Sequence, residues 1–403
     1  MKGYLDWQNF ISSDRRVVPL FYVAEYRISP VDKISKDDEI QVKLCNYTDV
    51  YKNAYITSDL DFMDGTATDH EIERFEIKDG DILITKDSES WNDIGIPALV
   101  VGEFEEATIC GYHLALIRPK KKIVIPKYLF YCFESKQHRL QLEIEATGVT
   151  RFGIPKNSIG KYKIPLPDYA QQEVIVKFLD KEIEKIDLLI ERKTSLIKLL
   201  EEKKRALINQ AVTKGINPNV PMKDSGIEWL GEIPEHWEVS KLKYVSNLKS
   251  GDFLEASSIK DDGEFMVFGG NGKRGYTDNY NHCGDYVLIG RQGALCGNIN
   301  YASEKFWATE HAIVCNPIKP LDYFWFGKQL ELMNLNQYSL AAAQPGLSVD
   351  IIKNLFIAFP PFEEQESIAI FLKDSDIKHE LEISRISNSI ELLKEKRIAV
   401  ISA

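Results

Sequence analysis

The stretch IPLPDYAQQEVIVKFLDKEIEKIDLLIERKTSLIKLLEEKKRAL, residues 164–207, decides the reading of this chain because it is written twice. With Ile164 set opposite Ile357, one offset of 193 positions carries the alignment without a gap from Ile159/Ile352 to Gln210/Ala403. Pro167/Pro360, Gln172/Gln365, Glu173/Glu366, Phe178/Phe371, Leu179/Leu372, Arg192/Arg385, Leu199/Leu392, Leu200/Leu393, Glu202/Glu395 and Lys203/Lys396 coincide. An ungapped repeat of a helical segment, its copies separated by a long unlike stretch, describes a chain of two similar halves.

In the first copy Ile183, Ile186, Ile190, Lys193, Ile197, Leu200, Lys204, Leu207 and Ala211 are spaced alternately by three and four, which is a coiled-coil seam. From Gln171 to Ala211 the helix runs about 41 residues, on the order of 60 Å at the helical rise. No single small domain buries a rod of that length. The second copy keeps the seam at Ile383, Ile386, Ile390, Leu393 and Val400. It carries Asp376 and His379 where the first has isoleucines, which predicts a shifted phase or a different neighbour for its first turns. Two such helices joined by a domain are expected to pack side by side and antiparallel. Packing of each on its own domain is the alternative. Lys193 and Lys204 suit either an antiparallel partner or a face open to a third protein.

Outward from the helices, Val17 to Glu25 (VVPLFYVAE) reads as a short lead-in. KLCNYTDVY (43–51) and GDILIT (80–85) read as strands, the second a buried run introduced by a turn. ALVVGEFEEATICGYHLALIRP (98–119) predicts further strands, and YLFYCFESKQHRLQLEIEA (128–146) has helical spacing. After the polar linker GINPNVPMKDSG, WEVSKLKYVSNL restates the lead-in, with Val239 opposite Val17 and Leu242 opposite Leu20. GDYVLI (284–289) repeats the pattern of GDILIT, and YFWFGKQLELMNLNQY (323–338) takes the place of the first half's helical stretch. The expectation is an α+β chain with a pseudo-two-fold internal repeat: a globular domain over 1–165, a long helix over 166–214, a linker over 215–226, a second domain over 227–358 and a second long helix over 359–403.

A chain of 403 residues exceeds what one hydrophobic core serves. Its six cysteines form no CxxC pair, so reduced thiols in a cytosol are expected and a metal site is not. No leader-like apolar core and no run of about 18 apolar residues is present, which predicts a soluble cytoplasmic protein without a membrane partner. The net charge is −11 and neither globular half is basic. Any binding to nucleic acid must rest on local clusters, such as Arg118 with Lys120 to Lys122 or Lys273 with Arg274, or on a partner that supplies the positive field.

The repeated unit IPLPDYAQQEVIVKFLDKEIEKID, the phrase GIEWLGEIPEHWEVSKLKYV (226–245) and the second copy FPPFEEQESIAIFL resemble the DNA-specificity subunits of type I restriction-modification systems. The resemblance covers nearly the whole chain and rests on the order of its words. It implies two target recognition domains, each reading one half of a split DNA sequence. It also implies an antiparallel coiled coil that spaces them and docks methyltransferase subunits, two of them, with a restriction/translocase subunit. The cofactors, S-adenosylmethionine and ATP with Mg, are then expected on those partners and none in this chain. The first half departs from the pattern in lacking a WLGEIPEHW phrase, having only Trp7 near its start. Half-sites read from one side of a duplex lie roughly 34 Å apart, a spacing that such a rod can bridge.

Base readout needs a few Arg, Lys, Asn, Gln or small residues on loops that reach a groove. In the second domain the candidates are Asn271, Lys273, Arg274 and Tyr276 in FGGNGKRGY, and Arg291 and Gln292 in GRQGALCG. A tight structural hairpin is the alternative for each loop. His311, with Thr309, fits a core histidine better than a base contact. In the first domain the parallel places are Lys86 and Ser88 after GDILIT, Tyr112 and His113, and Arg151 and Lys156 in GVTRFGIPKNS. Gln344 and Ser348 follow from the equivalent position in AAAQPGLSVD, and Arg118 to Lys122 is expected to be a solvated or phosphate-facing turn.

Enzymatic motifs fare poorly. FPPF (359–362) approximates an adenine-methyltransferase site, but Phe359 cannot bind an amino group and the other copy reads LPDY. The Glu202-Lys203 and Glu395-Lys396 pairs lie where a coiled coil exposes solvated charges. No nucleotide-binding glycine pattern precedes a helix. The expectation is a non-catalytic reader of double-stranded DNA. A self-contained methyltransferase-nuclease and a coiled-coil interaction protein without a DNA role are the rivals.

Overall fold

The computed structural model describes residues 16–293, 295–339 and 346–402. They divide into two compact units, residues 1–192 with 389–403 and residues 193–388. Each unit contains one globular part and one end of each long helix, the helices being Tyr169–Lys214 and Phe362–Ser402.

In the first unit, a five-stranded sheet has the order Ala24–Ile28, Leu114–Pro119, Ile82–Thr85, Pro97–Val100, Tyr55–Ile56. A three-stranded sheet of Met63–Ala67, Ile40–Cys45 and Thr108–Cys110 lies beyond it. Alternation along the central strands explains why ILIT is apolar throughout. Ile82 and Ile84 face a core shared with Leu129 and Phe133 of the helix Pro126–Glu134, whereas Leu83 faces a second core with Val42 and Leu44. The second unit repeats the plan. Ser246–Ser250, Ala312–Pro317, Tyr286–Gly290 and Ile299–Ala302 form its main sheet. Val287 and Ile289 face one core, and Leu288 faces another with Phe268 and Phe306.

The lead-in segments superpose in register with the repeat. Val18 pairs with Ile164 and Ser240 with Ile357. The Leu20 N–H donates to the Tyr162 carbonyl (2.8 Å), as the Leu242 N–H does to that of Leu355 (3.0 Å). Each globular part is thus clipped to the segment just ahead of its long helix. The repeated glutamines complete the clip: Gln172 Oε1 accepts from the Ile125 N–H while Nε2 donates to the Ile123 and Pro167 carbonyls. Gln365 Oε1 accepts from the Asp322 N–H and Nε2 donates to the Pro360 carbonyl. Both side chains are buried, where an amide left without hydrogen bonds is costly.

The WLGEIPEHW phrase is a clasp. Leu230, Ile233 and Trp237 are buried with Ala211 and Val212 of the first long helix and Ile368 and Leu372 of the second. Trp237 Nε1 and His236 Nε2 both meet Glu364 Oε2, at 2.9 and 2.8 Å.

The two long helices pair antiparallel within each unit. In residues 193–388, Lys204 meets Asp376 at 3.1 Å. In the other unit Asp187 meets Arg397 at 3.1 Å, and Leu179 and Ile183 share a core with Val400 and Ile401. The seam positions Ile183, Ile186 and Ile390 are buried, and Ile190, Ile197, Leu200, Leu207, Ile383, Ile386 and Leu393 are half-buried. Of the two expectations for the turns at Asp376 and His379, the phase shift does not occur and the different neighbour does. Asp376 stays in the seam because its carboxylate bridges Lys204 and Lys328, the latter at 3.3 Å, and His379 is buried in the same stripe.

KLCNYTDVY is likewise only half a strand. It turns after Cys45 into the helix Tyr47–Lys52, because the Asp49 carboxylate reaches back to accept from the Asn46 N–H (2.7 Å).

Candidate nucleic-acid interface

The end of the central strand in each main sheet carries the same small polar ledge. In the first part the Lys86 N–H donates to the His113 carbonyl (2.8 Å), and the Lys86 carbonyl accepts from the Ile154 N–H (2.9 Å). In the second the Arg291 N–H donates to the His311 carbonyl (2.8 Å), and the Arg291 carbonyl accepts from the Leu347 N–H (2.9 Å). One residue on, Gly153 pairs with Asp87 and Gly346 with Gln292. The histidine then reaches that next side chain: His113 Nδ1 lies 2.6 Å from Asp87 Oδ2, and His311 Nδ1 lies 3.0 Å from Gln292 Oε1. Lys86, Asp87 and His113 therefore correspond to Arg291, Gln292 and His311.

In the first part, Asp87 is engaged on both oxygens, since Lys86 Nζ donates to Oδ1 at 2.8 Å. A carboxylate only accepts, so His113 Nδ1 carries the proton between them. His113 has φ +71°, an uncommon conformation for a residue with a side chain. A Cβ on Gly153 would lie 2.8 Å from Asp87 Oδ1, so a larger residue there would displace that carboxylate. The Tyr112 ring lies 4.0 Å from that of His113, centroid to centroid. Burial pushes the Tyr47 hydroxyl up, a hydrogen bond to Ser88 opposes the shift, and the charge of Arg151 is near enough to oppose it too. Thus Lys86, Ser88, Tyr112, His113 and Arg151 come together, and Lys156 follows two residues after Ile154 at the head of the helix Lys156–Lys161.

In the second part, FGGNGKRGY forms the hairpin of Phe265–Gly269 and Gly272–Thr277. Its tip abuts the ledge so closely that a Cβ on Gly270 would lie 2.8 Å from the Gln292 carbonyl oxygen and 3.2 Å from that of His311. Asn271 is exposed at the tip. Lys273 Nζ sits 4.0 Å over the Tyr276 ring, and Arg274 is exposed along the same strand. Arg291 Nη1 donates to Ser250 Oγ (3.3 Å). Ser348 precedes the short helix Val349–Ile352, two residues beyond Gly346. Gln344 lies outside the described residues.

Two residues, Arg118 and His311, read differently in three dimensions, while Lys120 and Lys121 are exposed as expected. Arg118 is not a solvated or phosphate-facing group: its guanidinium grips buried Asp81 (2.6 and 2.9 Å) and the Glu76 carbonyl (2.8 Å), and the bond to Asp81 raises its pKa. Lys120 and Lys121 donate to backbone carbonyls. His311 is partly exposed on the ledge, not in a core. Asp87 and Tyr47 were not legible at all. The only signal for Asp87 was its place beside Lys86, and Tyr47 was hidden inside an apparent strand.

Comparison with known proteins decides the family. The model of the type I restriction modification DNA specificity domain matches residues 24–198 and again 234–392. The chain belongs to that family. This specificity-family chain is 38% identical over 151 residues to the type I restriction enzyme EcoprrI specificity subunit of Escherichia coli, a match spanning 36% of the chain and 38% of the relative. It is 28% identical to the MjaVIII specificity subunit of Methanocaldococcus jannaschii, over 70% of each chain. With the putative MjaX specificity subunit of the same organism it shares 28% over 81% of the chain and 78% of the relative. All three relatives are named as specificity subunits of type I restriction enzymes. Its fold is that of a chain described under "complex assembly and conformational transition of the type I R-M system" (TM-score 0.71, 18% identical, 96% of each covered). The same fold appears in the HsdS subunit from Thermoanaerobacter tengcongensis (TM-score 0.55, 18% identical, 96% and 95% covered). Among the described residues no helix is long and apolar enough to cross a membrane.

Proposed function

We propose that this specificity subunit reads a bipartite, asymmetric DNA target, one half by each globular part, within an assembly of two methyltransferase subunits and a restriction/translocase subunit. The observation that carries this reading is the duplicated ledge: one backbone frame, fixed by the same hydrogen bonds, bearing Lys-Asp-His in one part and Arg-Gln-His in the other. Equivalent frames with unlike side chains suit two half-targets of unlike sequence.

Docking of partners finds support on the long helices. Phe178 and Phe371, Leu188 and Leu381, and Leu199 and Leu392 are equivalent in the repeat, and all six are exposed. Large apolar side chains kept in solvent at matched positions suit two copies of one partner. S-adenosylmethionine and ATP with Mg belong on those partners in this reading, and the assembly works in the cytoplasm. The acidic chain binds DNA well only inside the assembly, where partners supply the positive field.

Mapping methylated adenines in cells expressing the chain with its methyltransferase tests this. The expected result is a motif of two unlike halves with a fixed gap, absent when the chain is omitted. Methylation that persists unchanged without the chain would refute it, as would methyl transfer by the purified chain alone.

A further inference from the structure

We infer that the equivalent ledge residues, Lys86 in the first part and Arg291 in the second, each select a guanine in their own half-target. The inference rests on the reading just given and adds which position does the selecting and for which base chemistry.

Position comes first. Each residue sits one step past the central strand with its N–H and its carbonyl both engaged, by His113 and Ile154 in one case and by His311 and Leu347 in the other. Backbone bonds on both sides fix the origin of the side chain, the kind of pre-organisation a specific contact needs. The side chain is steered as well. Lys86 Nζ gives one proton to Asp87, which His113 holds from its other oxygen, and two donor protons remain. Arg291 is steadied through Nη1 on Ser250, which leaves its other guanidinium nitrogens to donate.

Chemistry comes second. Both side chains carry donors only, and in the major groove guanine presents two neighbouring acceptors, N7 and O6, whereas adenine sets a donor beside its N7. Of the other cations near the ledges, Lys273 is committed to the Tyr276 hydroxyl at 2.5 Å, and Arg151, Lys156 and Arg274 do not occupy the equivalent position of the two backbone frames. The neighbouring position then separates the halves. Both oxygens of Asp87 are occupied, while Gln292 is exposed and keeps its Nε2 alongside an Oε1 with a second lone pair, a match for adenine's N6 and N7.

The test replaces each donor-only side chain by an amide, Lys86→Gln and Arg291→Gln, in the full chain co-expressed with its methyltransferase, and maps methylated adenines by sequencing. With Lys86→Gln, one guanine in one half of the motif is expected to give way to adenine by about tenfold or more in relative methylation, with the other half unchanged. Arg291→Gln is expected to do the same in the opposite half. The intact half reports folding within the same molecule. An unchanged motif, a uniform loss of methylation, or a change in both halves at once overturns the inference. So does a wild-type half-target without guanine. If wild-type methylation does not depend on the chain at all, the specificity reading itself fails, a separate and distinguishable result.

Discussion

At residue 86 and at residue 291 the chain makes the same backbone bonds, yet the surfaces built around those two points differ. In the first part, Cys45 leads into an excursion through the helix Tyr47–Lys52 before the chain returns as Met63–Ala67, and Tyr47 lies against Ser88. In the second, Phe265–Gly269 turns straight back as Gly272–Thr277, and the glycine tip presses on Gln292. The parallel pairing beneath is common to both, Cys45 with Cys110 and Phe268 with Ala308. Backbone hydrogen bonds hold whatever side chain they carry, so the frame persists while loops and ledge residues diverge. On the proposed reading, such a frame lets the target change without rebuilding the core.

The comparison can be broken most forcefully at the clasp, which only the second half possesses in sequence. Trp237→Ala removes a fully buried indole and its bond to Glu364, and should cost about 3–5 kcal/mol in urea unfolding. A loss below about 1 kcal/mol would mean that the phrase does not secure that unit. The seam offers the next contrast. Asp376→Ala strands Lys204 and the nearly buried Lys328, which retains Glu331 and the face of the Phe324 ring, and is expected to cost about 2 kcal/mol. Arg397→Ala, facing the half-exposed Asp187, should cost about 1 kcal/mol or less. Equal costs would remove the distinction between the two ends. Gly270→Ala should cost about 1–2 kcal/mol by pushing the hairpin off the ledge, and should disturb only the half-target of the second part. The smallest effect is expected at Lys156, exposed near the first ledge: Lys156→Ala should lower the salt dependence of DNA binding by the assembly by about 0.9 in log–log slope and leave the motif intact. An altered motif would make Lys156 a base reader.

Much of this was legible from repetition. The offset that aligned the helices also placed Tyr162 and Leu355, and the lead-in offset placed Leu20 and Leu242, at the same hydrogen bond. GDILIT and GDYVLI agreed less well: Thr85 is equivalent to Gly290, so the second copy holds one residue more before its ledge. The features that stayed hidden depended on partners distant in sequence. Nothing near Arg118 announces Asp81 as its buried counter-ion, and Asp376 looks like a break in a heptad until Lys204 and Lys328 stand opposite. Asp87 shows its role only once the sheet brings His113 beside it. The places of Lys86 and Arg291 are legible because each follows directly on a buried strand, a rule that needs no partner.

Making the ledges alike probes the central claim, that one frame carries two unlike readers. Lys86→Arg with Asp87→Gln gives the first part the side chains of the second, and methylated-adenine mapping of this double variant should show the first half of the motif acquiring the base preference of the other, with the second half untouched. A motif identical to that of the wild type, or one altered in both halves together, would contradict the account.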